Sequence, residues 1–93
     1  MWVVKMPSSV GMHHPCYLTC DSGGRSDASA MFFGSREAAG AFLAYAANNV
    51  IAFRAPETYS KGFKDRFLLA HPVPLEMENA VREREGRPPL VGL

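Results

Sequence analysis

Cysteine, surplus charge and long apolar runs are all scarce in this chain. Two cysteines, Cys16 and Cys20, stand in 93 residues. That is too few for the disulfide framework of a small secreted domain, so both are expected as reduced thiols. Ten basic residues against nine acidic ones leave a net charge of +1. Bulk charge therefore announces neither a nucleic-acid binder nor an acidic mimic of one. No apolar run approaches the roughly 18 residues of a membrane span, so no transmembrane helix is expected. Residues 1–7 lack the basic region and following apolar run of a secretory signal, and the expected location is cytoplasmic.

Aromatic and aliphatic residues are plentiful. Hydrophobic residues make up 47% of the chain, with six Phe, three Tyr and one Trp among them. That is enough apolar area to exclude whole-chain disorder. It supports one modest core, so residues 1–93 are expected as a single domain.

Residues 2–6, Trp-Val-Val-Lys-Met, read as a first strand, being aromatic and β-branched. Residues 7–15 break every period with Pro, Ser, Gly and His. Residues 16–20 read as a second strand and residues 21–27, with two adjacent glycines, as a turn. Residues 28–33 are expected as a third strand. Ser35 then offers a helix cap, and Glu37 places negative charge in the first turn. Ala39, Phe42, Leu43, Ala46 and Ala47 recur on one helical face, predicting a helix over residues 36–48 that stops at Asn48-Asn49. Gly40 weakens this helix unless something packs close to it.

Val50-Ile51-Ala52-Phe53-Arg54 returns to strand character. Residues 65–71 fit two patterns. Phe63, Phe67 and Ala70 make a helix face, and Phe67, Leu69 and His71 a strand face. The strand is preferred because His71-Pro72-Val73-Pro74 continues it as an edge. Pro74 opens a last helix over residues 75–85 whose apolar stripe is narrow, and Gly86 closes it. Its four Glu and three Arg (residues 76–87) read as a self-paired, solvated surface. Residues 87–93 are expected as a flexible tail. The resulting fold class is α+β: a small, mostly antiparallel sheet with one main helix packed on a face and a short C-terminal helix.

Four constellations bear on chemistry. His13, His14, Cys16 and Cys20 carry zinc-ligand atoms. If residues 16–20 are extended, however, the two cysteines lie roughly 13 Å apart and cannot share one ion. No metal and no cofactor is expected. A Cys–His nucleophile lacks any spacing that would bring His13, His14 or His71 to a thiol. Asp21-Ser22-Gly23-Gly24-Arg25-Ser26 resembles a phosphate cradle but lacks the Lys-Ser/Thr of a P-loop. Finally, Arg54, Lys61, Lys64 and Arg66 interleave with Phe53, Tyr59, Phe63 and Phe67, a composition suited to phosphate contact and base stacking. No carboxylate pair stands out, and no catalytic residue is assigned.

The run Trp2-Val3-Val4-Lys5, then Tyr17-Leu18-Thr19, then Ala30-Met31-Phe32-Phe33-Gly34-Ser35-Arg36-Glu37-Ala38 resembles small accessory proteins of bacteriophages and prophages. These combine a strand ending in Lys, a Tyr-Leu strand and a Phe-x-Ser-Arg-Glu-x-Ala helix. The likeness covers about the first half of the chain. It implies a small protein that works by binding a host protein, as anti-CRISPR inhibitors do, and it transfers no functional residue.

The expected function is therefore that of a non-enzymatic binding protein, an inhibitor occupying a host protein or nucleoprotein complex. Its expected contacts are Trp2, Arg54, Tyr59, Lys61, Lys64 and Arg66, since exposed aromatic and basic groups dominate interfaces. A weak homodimer through a sheet edge is a further expectation. The alternative is a small nucleic-acid-binding module using the stretch from Arg54 to Arg66.

Overall fold

The computed structural model describes residues 1–8, 14–53 and 67–93. Strands β1 (Trp2–Met6), β2 (Cys16–Leu18), β3 (Arg25–Ser26) and β4 (Ser29–Ala30) precede helix α1 (Arg36–Phe53). Strand β5 (His71–Pro74), helix α2 (Leu75–Arg84) and strand β6 (Val91–Gly92) follow. The main sheet is antiparallel, in the order β3-β2-β1-β5. Strands β4 and β6 form a separate parallel pair. The class is α+β, as expected.

Alternation along β1 sorts the core into two layers. Val4 and Met6 face α1 and meet Leu18, Ala39, Ala46, Phe67 and Ala70. Val3 faces the other way and meets Tyr17, Ala30 and Leu90. The sheet is thus covered on both faces, which is why all three residues of β2 are buried.

Ser35 caps α1 as its sequence predicts, its Oγ accepting from the Ala38 amide at 3.0 Å. All five residues of the predicted face pack into the first cluster. The helix does not stop at Asn48-Asn49, and the strand expected from Val50 is its last turn, ending at Phe53. No non-glycine described residue has a positive φ, so the Asn pair does not make a left-handed cap. Continuing a formed helix adds one hydrogen bond per residue, which outweighs the few tenths of a kcal/mol that β-branched residues lose there.

The strand expected over residues 28–33 is shortened to Ser29–Ala30, and the expected turn over residues 21–27 contains a strand of its own, Arg25–Ser26. The Ser26 hydroxyl accepts from the amides of Ala28 and Ser29 at 3.1 and 3.2 Å. That local turn ends β3 and sends the chain to pair with β6 instead. Residues 67–69 are helical rather than extended. The strand there begins only at His71, because a helical turn buries Phe67 and Ala70 on the same side.

Strand β5 is an edge, as its prolines require. Leu75 N–H donates to Met1 O at 2.9 Å, and Val3 stands opposite Val73. Alternation then turns the nitrogens of Pro72 and Pro74 away from β1, so the outer edge offers no N–H at either position. The opposite edge, β3, is two residues long. Both edges of this sheet therefore resist strand addition.

The expected C-terminal tail is part of the fold. Leu90 is buried in the second cluster, and Leu93 N–H donates to Ala30 O at 3.0 Å. A Cβ on Gly92 would stand 2.8 Å from the Phe32 ring, so only glycine lets β6 lie beneath that ring.

Candidate functional site

Helix α2 carries an unusual division of its side chains. Gly86, at φ +72°, closes it as the sequence predicts, and Arg87 N–H donates back to Arg82 O at 2.8 Å. The face against the sheet carries Leu75, packed on the second cluster, and two charged residues. Glu78 and Arg82 are 8% and 3% exposed, one turn apart. They were expected on a solvated surface; the structure corrects this, because each has a full set of partners inside.

The Glu78 carboxylate accepts from Tyr17 Oη at 2.7 Å and from Lys5 Nζ at 3.1 Å. Lys5 and Tyr17 are cross-strand neighbours on β1 and β2, which brings both donors beneath the helix. Burial first, and then the bond to Glu78, hold the Tyr17 hydroxyl protonated well above its usual range. Arg82 donates from Nε to Pro88 O at 2.8 Å and from Nη1 to Asp27 O at 2.7 Å. Arg87 Nη2 adds a 3.4 Å contact to the same Asp27 carbonyl, and the Asn79 side chain accepts from Leu90 N–H at 2.9 Å. These groups tie the helix to the sheet, to the turn before β4 and to the C-terminal segment. No buried side-chain N or O among the described residues lacks a partner.

The face turned to solvent is apolar along its centre. Met77 is 65% and Val81 39% exposed, and Ala80 is exposed between them. With Arg84 they follow the i, i+3, i+4, i+7 spacing of one helix stripe. The Arg84 side chain is exposed. Glu76 and Glu83 flank the stripe and, with Asn79, Ala80, Arg87 and Pro89, line a shallow open groove of about 470 Å³. The Glu76 carboxyl is held below the usual range by its own backbone N–H, then by the Met1 α-amino group 3.3 Å away. The narrow apolar stripe is the feature of the sequence that bears on this arrangement, and it does not single out Glu78 or Arg82.

The residues expected to contact a partner fare differently. Trp2 is half-buried against the α1 cluster, and its backbone exchanges two 2.8 Å hydrogen bonds with Phe33. Trp2 shares the α1 side of β1 with Val4 and Met6, so it packs on the core while part of its surface stays accessible. Arg54, Tyr59, Lys61, Lys64 and Arg66 lie outside the described residues.

The thiol and histidine cluster does not assemble among the described residues. Cys16 is buried in β2, whereas Cys20 is half-buried in the following turn. Cys20 Sγ lies 3.0 Å from Ser22 Oγ, and that bond, against the opposing effect of partial burial, sets its thiol below the usual range. The backbone amides of Ser22 and Gly24 push in the same direction. His14 Nδ1 is 3.8 Å from Glu85, and His71 Nδ1 is 3.1 Å from Leu69 O. Among the described residues no three His, Cys, Asp or Glu side chains converge as a metal site, and no helix is long and apolar enough to cross a membrane.

Comparison with family models, curated proteins and solved structures finds no match to this chain.

Proposed function

We propose that this chain is a non-enzymatic binding protein that docks on a partner protein through the outward face of α2. The observation that supports this reading is the inversion of the helix: Glu78 and Arg82 are buried while Met77 and Val81 face solvent. A helix anchored by polar bonds keeps its apolar side chains available, and i, i+3, i+4 anchors are what a partner's apolar groove recognises. Arg84, at the end of the stripe, supplies a charged group of the kind enriched at interface centres. In its most concrete form the protein is a phage-type inhibitor, anti-CRISPR-like, that occupies a host protein complex. That form rests on the sequence resemblance of its first half.

The test is capture of a partner from bacterial lysate, followed by titration with the purified partner. Val81→Glu should fold as the parent does and lose about 30-fold or more in affinity, the size of a hot-spot effect. Undiminished binding by that variant would place the contact elsewhere.

A further inference from the structure

We propose that the outward face of α2 also receives the same face of a second copy of this chain, the two helices running antiparallel about a two-fold axis at Ala80. The inference rests on the docking role of this face and names one of its occupants.

The helix is self-complementary in charge. Its first turn is acidic, with Glu76, and its last turn is basic, with Arg84. These two residues are equally distant in sequence from Ala80, so an antiparallel copy sets Glu76 of each chain opposite Arg84 of the other. A parallel copy would set like charges together. Antiparallel packing also opposes the two helix dipoles. Ala80 is the smallest side chain of the stripe and sits where the helices cross, which permits close approach. Met77 and Val81 lie on either side of it, and Glu83 joins Glu76 on the acidic flank. A two-fold interface of this kind uses one patch on both subunits, and therefore closes as a dimer.

Both sheet edges are blunted, at β5 by Pro72 and Pro74 and at β3 by its length. Strand addition to the main sheet is thus disfavoured, and the apolar stripe of α2 offers a contact that does not need it. The contact is small. Ten residues span about 15 Å of helix. Such a pair buries well below the roughly 1,200 Å² of a stable interface. The dimer is accordingly weak, with Kd on the order of 10⁻⁴ M, and a partner protein with a larger contact displaces it.

Sedimentation equilibrium of the purified chain alone tests the pairing, so the result does not depend on any foreign partner. From about 10 µM to about 1 mM the average mass should rise from the monomer towards the dimer. Arg84→Glu and Glu76→Lys should each abolish that rise, since each creates two like-charge contacts across the axis. Mixing the two variants should restore it, because Glu76 then meets Arg84 at one contact and Lys meets Glu at the other. A wild-type chain that stays monomeric at 1 mM, or a mixture no more associated than its components, overturns the pairing. Either result leaves lysate capture by the same face as a separate question.

Discussion

Helices α1 and α2 cover opposite faces of one sheet by opposite means. Helix α1 is held by apolar packing: Ala39 and Ala46 are fully buried, with Phe42 and Leu43 half-buried beside them. Helix α2 is held by hydrogen bonds to buried charge, through Glu78 and Arg82. Packing is non-directional and tolerates adjustment, whereas a buried charge depends on every partner it has. Outward, α1 exposes Arg36, Glu37 and Asn48 among alanines and Tyr45, which is 55% exposed, whereas α2 exposes Met77 and Val81 beside Glu76, Glu83 and Arg84. The two helices thus differ in what anchors them more than in what they present to solvent.

The sharpest way to break this comparison is at Arg82. Arg82→Ala removes the donors to Asp27 O and Pro88 O and leaves both carbonyls without them. Denaturant unfolding should show a loss of about 3–6 kcal/mol, two hydrogen bonds from a charged group at roughly 1.5–3 kcal/mol each. Arg82→Lys should recover little, since an ammonium cannot reach two carbonyls with a planar fork. On the α1 side, Phe42→Ala removes a half-buried ring that stacks at 5.4 Å on Phe33. The expected cost is about 2–3 kcal/mol, at or below the lower end for a fully buried Phe.

The α1 attachment was legible because period and composition agree: the face Ala39/Phe42/Leu43/Ala46/Ala47 and the Ser35 cap are written in the residues. Gly86 and the prolines of β5 were legible for the same local reason. The α2 attachment was not, because Lys5, Tyr17, Asp27 and Pro88 are remote from it in sequence and only the folded sheet brings them beneath the helix. Glu78 and Arg82 therefore read as surface charges. The end of α1 and the C-terminal strand were missed for a related reason. Asn48-Asn49 carries a local stop signal that continuation of the formed helix overrides, and Leu90–Leu93 the signal of a tail that tertiary packing overrides.

A third prediction concerns the Tyr17–Glu78 bond. Tyr17→Phe leaves one buried carboxylate oxygen without its donor and should cost about 1–3 kcal/mol. The same bond sets an alkaline limit. Below pH 10, the ordinary phenol value, folded and unfolded chains both hold the Tyr17 proton, and its contribution is complete. Above it the unfolded chain releases that proton while the folded chain retains it, so stability falls as pH rises. Urea unfolding from pH 8 to 11 should show this decline in the parent and a shallower one in Tyr17→Phe. The smallest effect lies on α1. Among the described residues a Cβ at Gly40 would meet only the Pro72 ring, at 4.0 Å, an ordinary contact. Gly40→Ala should therefore stabilise the fold by about 0.5–1 kcal/mol, read as a higher Tm.

The most direct measurement compares two adjacent residues of α2. Met77 is a large hydrophobe turned to solvent, and Glu78 is a charge buried against the sheet. If polar bonds hold this helix, Met77→Ala should change the unfolding free energy by no more than about 0.5 kcal/mol. Glu78→Ala, which strands Lys5 and Tyr17, should lower it by about 3 kcal/mol or more. A costly Met77→Ala beside a harmless Glu78→Ala would show that α2 is held by its apolar face, and would contradict the account.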